Sequence, residues 1–152
     1  MHKISLLLLI ALLTACGSAP ARQDSASNER MNDLVMYAIS LAETPYQYGG
    51  DNARSGFDCS GYVGHVYREV LDIKLPRTTK ALSGVGDPLS QRELRPGDLV
   101  FFNTQRRPFS HVGIYVGERK FVHSPKTGSR IRVENMELDY WKSRYNGARR
   151  IY

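Results

Sequence analysis

Long hydrophobic runs are almost absent from this sequence. The longest covers eight residues, from Leu6 to Leu13, and it is too short to cross a bilayer comfortably as a permanent helix. Lys3 precedes the run, and small residues lie between it and Cys16. A charged start, an apolar centre and small residues at the end are typical of an export signal, which we predict over residues 1–15.

Cys16 completes the motif "LTAC", which resembles the lipobox of bacterial lipoproteins. The resemblance implies that processing leaves Cys16 as a lipidated first residue and thus anchors the protein to a membrane. In the sorting pattern of such lipoproteins, an aspartate after the lipidated cysteine would argue against delivery to the outer membrane. This chain has Gly17 there, which implies delivery to the periplasmic face of the outer membrane. The alternative is an ordinary cleaved signal that leaves Cys16 as a spare thiol.

Cysteine is scarce, since Cys16 and Cys59 are the only two. Exported proteins normally use their cysteines in pairs. If lipid caps Cys16, Cys59 has no partner, and a disulfide scaffold is excluded. An unpaired thiol in an oxidising compartment is a hazard unless the thiol itself is needed, so Cys59 is the first candidate for a functional residue.

A basic tract is also missing. The chain has 21 basic and 15 acidic residues, and losing residues 1–15 with Lys3 changes its formal charge from +6 to +5. Because the basic residues are dispersed, a nucleic-acid partner is disfavoured, and export disfavours it further. An acidic extracellular polymer or anionic head groups suit this charge better, and a basic surface that serves only solubility is the alternative.

The chain also lacks a second linker. Small and polar residues without apolar periodicity, "GSAPARQDSASNE", predict a flexible tether over residues 16–30 with a reach of about 20 Å. The 122 residues from Met31 to Tyr152 are enough for one domain of ordinary size. The oligomeric state is not encoded in any motif, and we expect a monomer.

Two helices are predicted in the first half of this domain. The first covers residues 31–43, ends before Pro45, and places these apolar residues near one face: Leu34, Val35, Ile39, Leu41 and Ala42. After a loop of turn-forming residues, "DCSGYVGHVYREVL" repeats the helical spacing, with Asp58 in position to cap.

Cys59 therefore begins the second predicted helix. Free backbone N–H groups and the helix dipole at that end favour the thiolate, which predicts a pKa below the ordinary value of about 8.5. The small neighbours Ser60 and Gly61 leave the sulfur approachable. A buried structural cysteine is the alternative.

The second half of the domain is predicted to form antiparallel strands. The segments "RPGDLVFF", "HVGIYVG", "KFVHS" and "RIRVE" follow one another with turn residues between them. Trp141 lies in a late amphipathic segment, and "ARRIY" is a candidate final strand. Helices first and strands afterwards predict an α+β domain in which helices pack on a meandering sheet.

Histidine is nearly as scarce as cysteine, with four residues. His2 belongs to the predicted signal and His65 to the second helix, which leaves His111 and His123. These two share a sheet face if their hairpin has a three-residue connection or a bulge, for which Gly117 is suited. In that register His123 lies opposite Gly113 and diagonal to His111, within reach of its ring.

A thiol at a helix start, an imidazole on a facing strand and a second polar group beside that imidazole form the arrangement that cysteine catalysis needs. A zinc site formed by Cys59, His111, His123 and Asp58 is an alternative, although Asp58, adjacent to the cysteine, points away from a common tetrahedral centre. A lipoprotein that only binds its target through a degenerate site would be expected to have lost one of Cys59, His111 or His123, and all three are present.

The motifs "YQYGG", "FDCSGYV", "LPRTT", "LRPGDLVFF", "HVGIYVG" and "FVHS" occur in this order and resemble the NlpC family of papain-like bacterial cell-wall peptidases, from about Tyr37 to the C-terminus. The lipobox and the ending "YWKSRYNGARRIY" make the chain most similar to the family's outer-membrane murein endopeptidase lipoproteins. The resemblance implies hydrolysis of amide bonds in peptidoglycan stem peptides, without metal or organic cofactor.

The same resemblance implies roles for individual residues. Cys59 would be the nucleophile, His111 the base and His123 the residue that orients His111. Tyr46 would support the oxyanion, with Tyr48 as the alternative tyrosine because the following loop has one extra residue. The implied substrate or structural support residues are Tyr48, Asp58, Ser60, Gly61 and Arg77.

The resemblance also bears on the bond that is cut. Most of the family cleaves between D-glutamate and the diamino acid inside one stem, whereas the most similar members open the cross-link between D-alanine and diaminopimelate. We expect the cross-link. Cleavage within a stem and acyl transfer on a papain-like fold are the alternatives.

Overall fold

The computed structural model describes residues 20–151. The predicted signal, Cys16 and residues 17–19 lie outside the described residues. Within the described part of the chain, no helix has both the length and the apolar character needed to cross a membrane.

The domain combines four helices with two antiparallel sheets in the described residues. The helices are α1 Pro20–Ser40, α2 Cys59–Leu71, α3 Thr79–Leu82 and α4 Asp139–Lys142, with a short 3-10 turn at Gln91–Glu93. The strands are β1 Asp51–Asn52, β2 Gly56–Phe57, β3 Asp87–Leu89, β4 Leu99–Phe102, β5 His111–Gly117, β6 Lys120–His123, β7 Arg132–Asn135 and β8 Tyr145–Arg150. β1 and β2 pair with each other, and the other six strands form one sheet in the order β3-β8-β4-β5-β6-β7. The predicted α+β class is confirmed.

Helix α1 begins earlier than the sequence predicts. It starts at Pro20, so the prediction of a flexible tether is wrong for residues 20–30. Proline is suited to the first turn of a helix, and no glycine or proline interrupts the residues that follow it. Eleven helical residues rise about 16 Å at 1.5 Å per residue, close to the predicted reach of the tether.

The buried face of α1 also differs from the prediction. Leu34, Val35 and Ala38 are buried, whereas Ile39 is 38% exposed and Ala42 is exposed. The observed face follows the i, i+3, i+4 spacing and includes a small residue, because α1 packs closely against α2. Leu34 is the first buried residue along α1 among those whose burial the structure describes.

Two apolar clusters lie on opposite faces of the main sheet. In β4, Leu99 and Phe101 join the cluster under α1 and α2, and Val100 and Phe102 join the cluster beside α4. Successive strand side chains point to opposite faces, so a strand buried on both faces reads as the continuous apolar run "LVFF". This sheet is the rigid support on which the histidines are placed.

The β5–β6 hairpin has the even register that the sequence analysis requires. Ile114 pairs with Val122 and Tyr115 with Phe121, and the register shifts between Tyr115 and Gly117. A bulge therefore produces the register, which was one of the two predicted solutions. Continuation of this pairing sets Gly113 opposite His123, and a Cβ on Gly113 would lie 3.2 Å from the His123 Cβ and 2.6 Å from a Phe121 ring carbon. Glycine at this position makes room for the Phe121 ring beside the His123 side chain.

Candidate active site

Cys59 and His111 open into one cavity of about 430 Å³ at the end of the main sheet. Tyr46 and Thr104 lie on its wall, and Lys126 and Arg132 bring positive charge to it. Further lining residues are Gln105, Pro125, Glu134, Leu138, Tyr140 and Trp141. A thiol and an imidazole that face a common space can act on one bound molecule.

The two strand histidines form a direct pair. His111 Nε2 lies 2.7 Å from His123 Nδ1, and the two rings are nearly perpendicular at 86°. Because Nε2 of His111 is engaged, its Nδ1 is the nitrogen available to the thiol. The predicted proximity of His111 and His123 is therefore what the structure shows.

Trp141 and Glu134 enclose this pair, and sequence reasoning missed both roles. The indole of Trp141 stacks on His111 at 5.8 Å and meets the His123 ring edge-on at 5.0 Å. Its Nε1 donates to Glu134 Oε2 at 2.6 Å, and Glu134 Oε1 lies 3.6 Å from His123 Nε2. The alternation in "RIRVE" could have indicated Glu134, because it puts Arg132 and Glu134 on one face. No local sequence pattern indicates that Trp141 packs against the two histidines.

Asp58 holds the start of α2 and bonds a neighbouring arginine. Its Oδ1 accepts the Gly61 N–H at 2.8 Å, which confirms the predicted cap. Arg77 donates from its two terminal nitrogens to Asp58 at 2.9 and 2.8 Å and to Ser60 Oγ at 2.9 Å. Four of the five predicted support residues thus form one cluster beside Cys59: Asp58, Ser60, Gly61 and Arg77.

Gly61 is needed because the first turn of α2 touches the preceding loop. A Cβ on Gly61 would lie 2.1 Å from the carbonyl oxygen of Gly50, far inside contact distance. The same carbonyl accepts the N–H of Asp58 at 3.0 Å. This approach fixes the loop against the helix end that carries the thiol.

The structure separates the two candidate tyrosines. Tyr46 lines the cavity, and burial, followed by the nearby Cys59 and Asp58, raises its pKa. Tyr48 is 85% exposed and is not among the residues that line the cavity. The geometry therefore favours Tyr46 as the tyrosine that can reach a bound substrate, and it does not support Tyr48 in that position.

Burial dominates the ionisation of the thiol. It raises the pKa of Cys59 to about 11, and the Asp58 carboxylate raises it further, against the backbone N–H groups of Val112, Ser60 and Cys59 itself. The prediction of a lowered pKa is thus wrong for this buried thiol. Burial also lowers the pKa of His111, with His123 acting in the same direction. The resting pair is therefore a neutral thiol beside a neutral imidazole.

The residues considered for zinc do not converge. In the described part of the chain, no group of three or more histidine, cysteine or acidic residues is placed to hold a metal ion. Asp58 is occupied by the Gly61 N–H and by Arg77. The cavity geometry favours nucleophilic chemistry at Cys59 over metal binding.

A family model described as the NlpC/P60 family matches residues 43–150, a span that contains the whole cavity. The chain belongs to the NlpC/P60 family. The resemblance described from the motifs is confirmed, and the family's members among solved structures share this fold. The NlpC/P60 protein from Bacillus cereus ATCC 10987 superposes with a TM-score of 0.74 at 28% identity, over 80% of this chain and 40% of that one.

Two curated relatives come from Escherichia coli K12. Murein DD-endopeptidase MepH is 40% identical over 141 residues, which cover 91% of this chain and 51% of MepH. Murein DD-endopeptidase MepS/Murein LD-carboxypeptidase is 42% identical over 106 residues, 70% of this chain and 55% of MepS. This NlpC/P60 chain thus spans about half the length of these relatives.

Loss of the Arg77 side chain is expected to destabilise this NlpC/P60 domain. Arg77→Ala removes two charge-assisted bonds to Asp58, and because Arg77 is 46% exposed, solvent screening limits the loss of unfolding free energy to about 1 kcal/mol. Arg77→Lys should recover only part of it, since lysine cannot make the two-pronged contact. Urea denaturation measures the difference, with the exposed Arg54→Ala as control. Equal stability of the two alanine variants would contradict the proposed support.

Alkylation of Cys59 is expected to titrate above the ordinary thiol value of about 8.5. The folded pKa is raised, so the thiol keeps its proton until a higher pH, and the reactive thiolate is scarce at neutral pH. Iodoacetamide labelling of the Cys16→Ser chain across pH measures this half-point, and the same chain in urea supplies the unfolded reference. A half-point below the unfolded value would restore the prediction made from the helix start.

Proposed function

We propose that this chain is a thiol endopeptidase that hydrolyses amide bonds in peptidoglycan stem peptides. The observation that carries the proposal is the cavity shared by Cys59, at the N-terminus of α2, and His111, whose second ring nitrogen is held by His123. The relatives MepH and MepS are named as murein endopeptidases, which supports the substrate class.

The proposed reaction begins from the neutral pair. As Cys59 Sγ attacks the amide carbonyl, its proton passes to Nδ1 of His111 and a C–S bond forms. Backbone N–H groups at the start of α2, with the Tyr46 hydroxyl, stabilise the oxyanion. The protonated His111 then gives its proton to the amine as the C–N bond breaks. Water, deprotonated by His111, hydrolyses the thioester and returns the thiol.

Charge around the cavity suits a carboxylate-rich peptide. Lys126 and Arg132 are exposed on its lining, but Arg132 is paired with Glu134 at 2.6 Å. Lys126 is therefore the cation that would face the free carboxylates that stem peptides carry on their acidic and diamino residues. Half-exposed Leu138 and Tyr140, at 52% and 49%, offer an apolar surface on the α4 side. A cation beside an apolar surface can bind a carboxylate of the stem peptide and hold the peptide in position.

We assign the cross-link between D-alanine and diaminopimelate as the preferred bond. The DD-endopeptidase names of MepH and MepS support this choice over cleavage between D-glutamate and diaminopimelate. Incubation with purified cross-linked dimers and, separately, with tetrapeptide monomers, followed by mass spectrometry, tests it. Dimers should fall to monomers.

The other products of this experiment each point elsewhere. Monomers shortened to dipeptides, with dimers intact, would assign cleavage within the stem. Loss of the terminal D-alanine alone would assign the carboxypeptidase activity that the name of MepS also records. New amide adducts with an added amine, without hydrolysis, would assign acyl transfer.

We further propose that Cys16 carries lipid and holds the domain at the periplasmic face of the outer membrane. The support is the lipobox and Gly17. Helix α1 begins four residues after Cys16, so the anchored domain would lie close to that membrane. We expect it to be a monomer. Intact-mass analysis of the protein purified from membranes, compared with Cys16→Ser, tests the modification. An unmodified thiol at Cys16 would reject it.

A further inference from the structure

One nitrogen of the histidine pair lacks a hydrogen-bond partner. The His123 side chain is fully buried, and its Nε2 makes no hydrogen bond to any described residue. A buried polar nitrogen without a partner costs free energy. The charged atom that the structure records beside it is Oε1 of Glu134, at 3.6 Å, which is longer than a hydrogen bond but close enough for strong electrostatic coupling.

Glu134 reaches this position through strand pairing. On β6 and β7, His123 pairs with Arg132, and Glu134 follows two residues later on the same face. Its carboxylate is held on both oxygens, by Arg132 Nε at 2.6 Å on Oε1 and by Trp141 Nε1 at 2.6 Å on Oε2. Glu134 is therefore a fixed, largely shielded group with 17% side-chain exposure.

The carboxylate is ionised at every pH at which the protein would work. Its coupling to His123, together with the bonds from Trp141 and Arg132, lowers the pKa of Glu134 to about 2 against the opposing effect of burial. An ionised carboxylate only accepts hydrogen bonds. The group that faces it on the histidine must then be a donor.

We propose that Glu134 is a positioning residue that sets the tautomers of the histidine pair. Its carboxylate requires the proton of neutral His123 to be on Nε2, so Nδ1 of His123 accepts from Nε2–H of His111. His111 is left with a lone pair on Nδ1, the form that can take the Cys59 proton. The opposite tautomers would place a proton on that nitrogen and block the transfer.

The same carboxylate acts in the charged state of the site. When His111 becomes an imidazolium, the negative charge of Glu134 lies on the far side of His123. The 3.6 Å distance between His123 Nε2 and Glu134 Oε1 can then shorten to a hydrogen bond. Arg132 is the positive group that competes for the same oxygen, and Trp141 keeps water from the rings. The role of Glu134 in turnover rests on the proposed thiol mechanism, whereas the tautomer of His123 does not.

The tautomer can be measured without any substrate. In the purified full chain, ¹⁵N correlation spectra of the histidine rings should show His123 with a protonated Nε2 and an unprotonated Nδ1. The ring signals of His123 are assigned as those that disappear from the spectrum of His123→Ala. Protonation of Nδ1 instead would overturn the proposal, whatever the activity of the protein.

Glu134→Gln tests the link to turnover. The amide oxygen can still accept from Trp141, and its NH₂ would then face His123 Nε2 and favour the opposite tautomer. Arg132, which donates to the same position in the unchanged chain, is half-exposed and can turn to solvent. We expect kcat on cross-linked murein to fall about 10²-fold with KM little changed. In the spectra of His123, the protonated nitrogen should change from Nε2 to Nδ1. Glu134→Asp, which keeps the charge, should recover part of kcat.

Glu137→Gln is the matched control, because it removes the same charge from an exposed neighbour that pairs with Arg119 and Lys142. Its kcat and ring signals should equal those of the unchanged chain. Unchanged kcat and ring signals in Glu134→Gln would reject the positioning role. If the unchanged chain cleaves no murein substrate, the proposed function fails, and the ring spectra still decide the tautomer.

Discussion

Replacement of Cys59 by alanine is expected to abolish amide hydrolysis and leave the fold intact. Without the sulfur no thioester can form, and the remaining groups can only bind and polarise the substrate, so turnover should fall by at least about 10⁴-fold. Cys59 is half-buried at the edge of the core, and the loss of one sulfur atom there should cost about 1 kcal/mol or less. Release of monomers from cross-linked dimers measures turnover, and thermal unfolding measures the fold.

The second cysteine supplies the control for this experiment. Cys16→Ser also removes a cysteine, but Cys16 lies in the segment proposed to anchor the protein, so hydrolysis of soluble dimers by the purified chain should be unchanged. Near-normal turnover in Cys59→Ala would sink the proposed mechanism. Loss of turnover in both variants would point to a general requirement for thiols.

Alanine substitutions in the histidine pair are expected to differ in severity. His111→Ala removes the group that takes the thiol proton and protonates the leaving amine, and we expect a loss of about 10⁴-fold. His123→Ala leaves His111 in place, held by its stacking on Trp141, so a slow rate about 10²-fold below normal should persist. Both rings are almost fully buried, so circular dichroism must accompany the kinetics.

His65 provides a matched histidine outside the cavity. It lies on α2 and bonds the Tyr37 hydroxyl at 2.9 Å, so His65→Gln should leave turnover near normal. Equal and complete losses with unfolding in both His111→Ala and His123→Ala would indicate a structural pair. Equal losses with release of zinc, measured by atomic absorption, would establish the metal alternative.

The arrangement proposed for catalysis was largely predictable because each part has a local signal. Asp58 before a helical apolar pattern predicts where α2 begins, and the structure confirms that cap. The alternation around His111 and His123, with Gly117 between them, predicts a shared face, and the bulge supplies it. These patterns involve residues a few positions apart along the chain, so they can be recognised in the sequence.

Other parts of the site were not predictable in this way. Tyr46 and Tyr48 lie two residues apart in one turn-forming segment, and only packing decides that Tyr46 enters the cavity. The helical state of residues 20–30 was missed because their polar composition shows no apolar face. Trp141 approaches the histidines from a four-residue helix distant in sequence, and no spacing rule links it to them.

Local sequence patterns were enough to identify the NlpC/P60 motifs and to predict the α+β class, the helix start at Cys59 and the pairing of two histidines, since periodicity and capping act over a few residues. The tertiary structure was needed for the direction of the Cys59 pKa, because burial raises it against the backbone N–H groups at the helix end. It also decided that Glu134 and Trp141 lie behind the histidine pair, because strand pairing and side-chain packing bring together groups whose separation along the chain carries no signal.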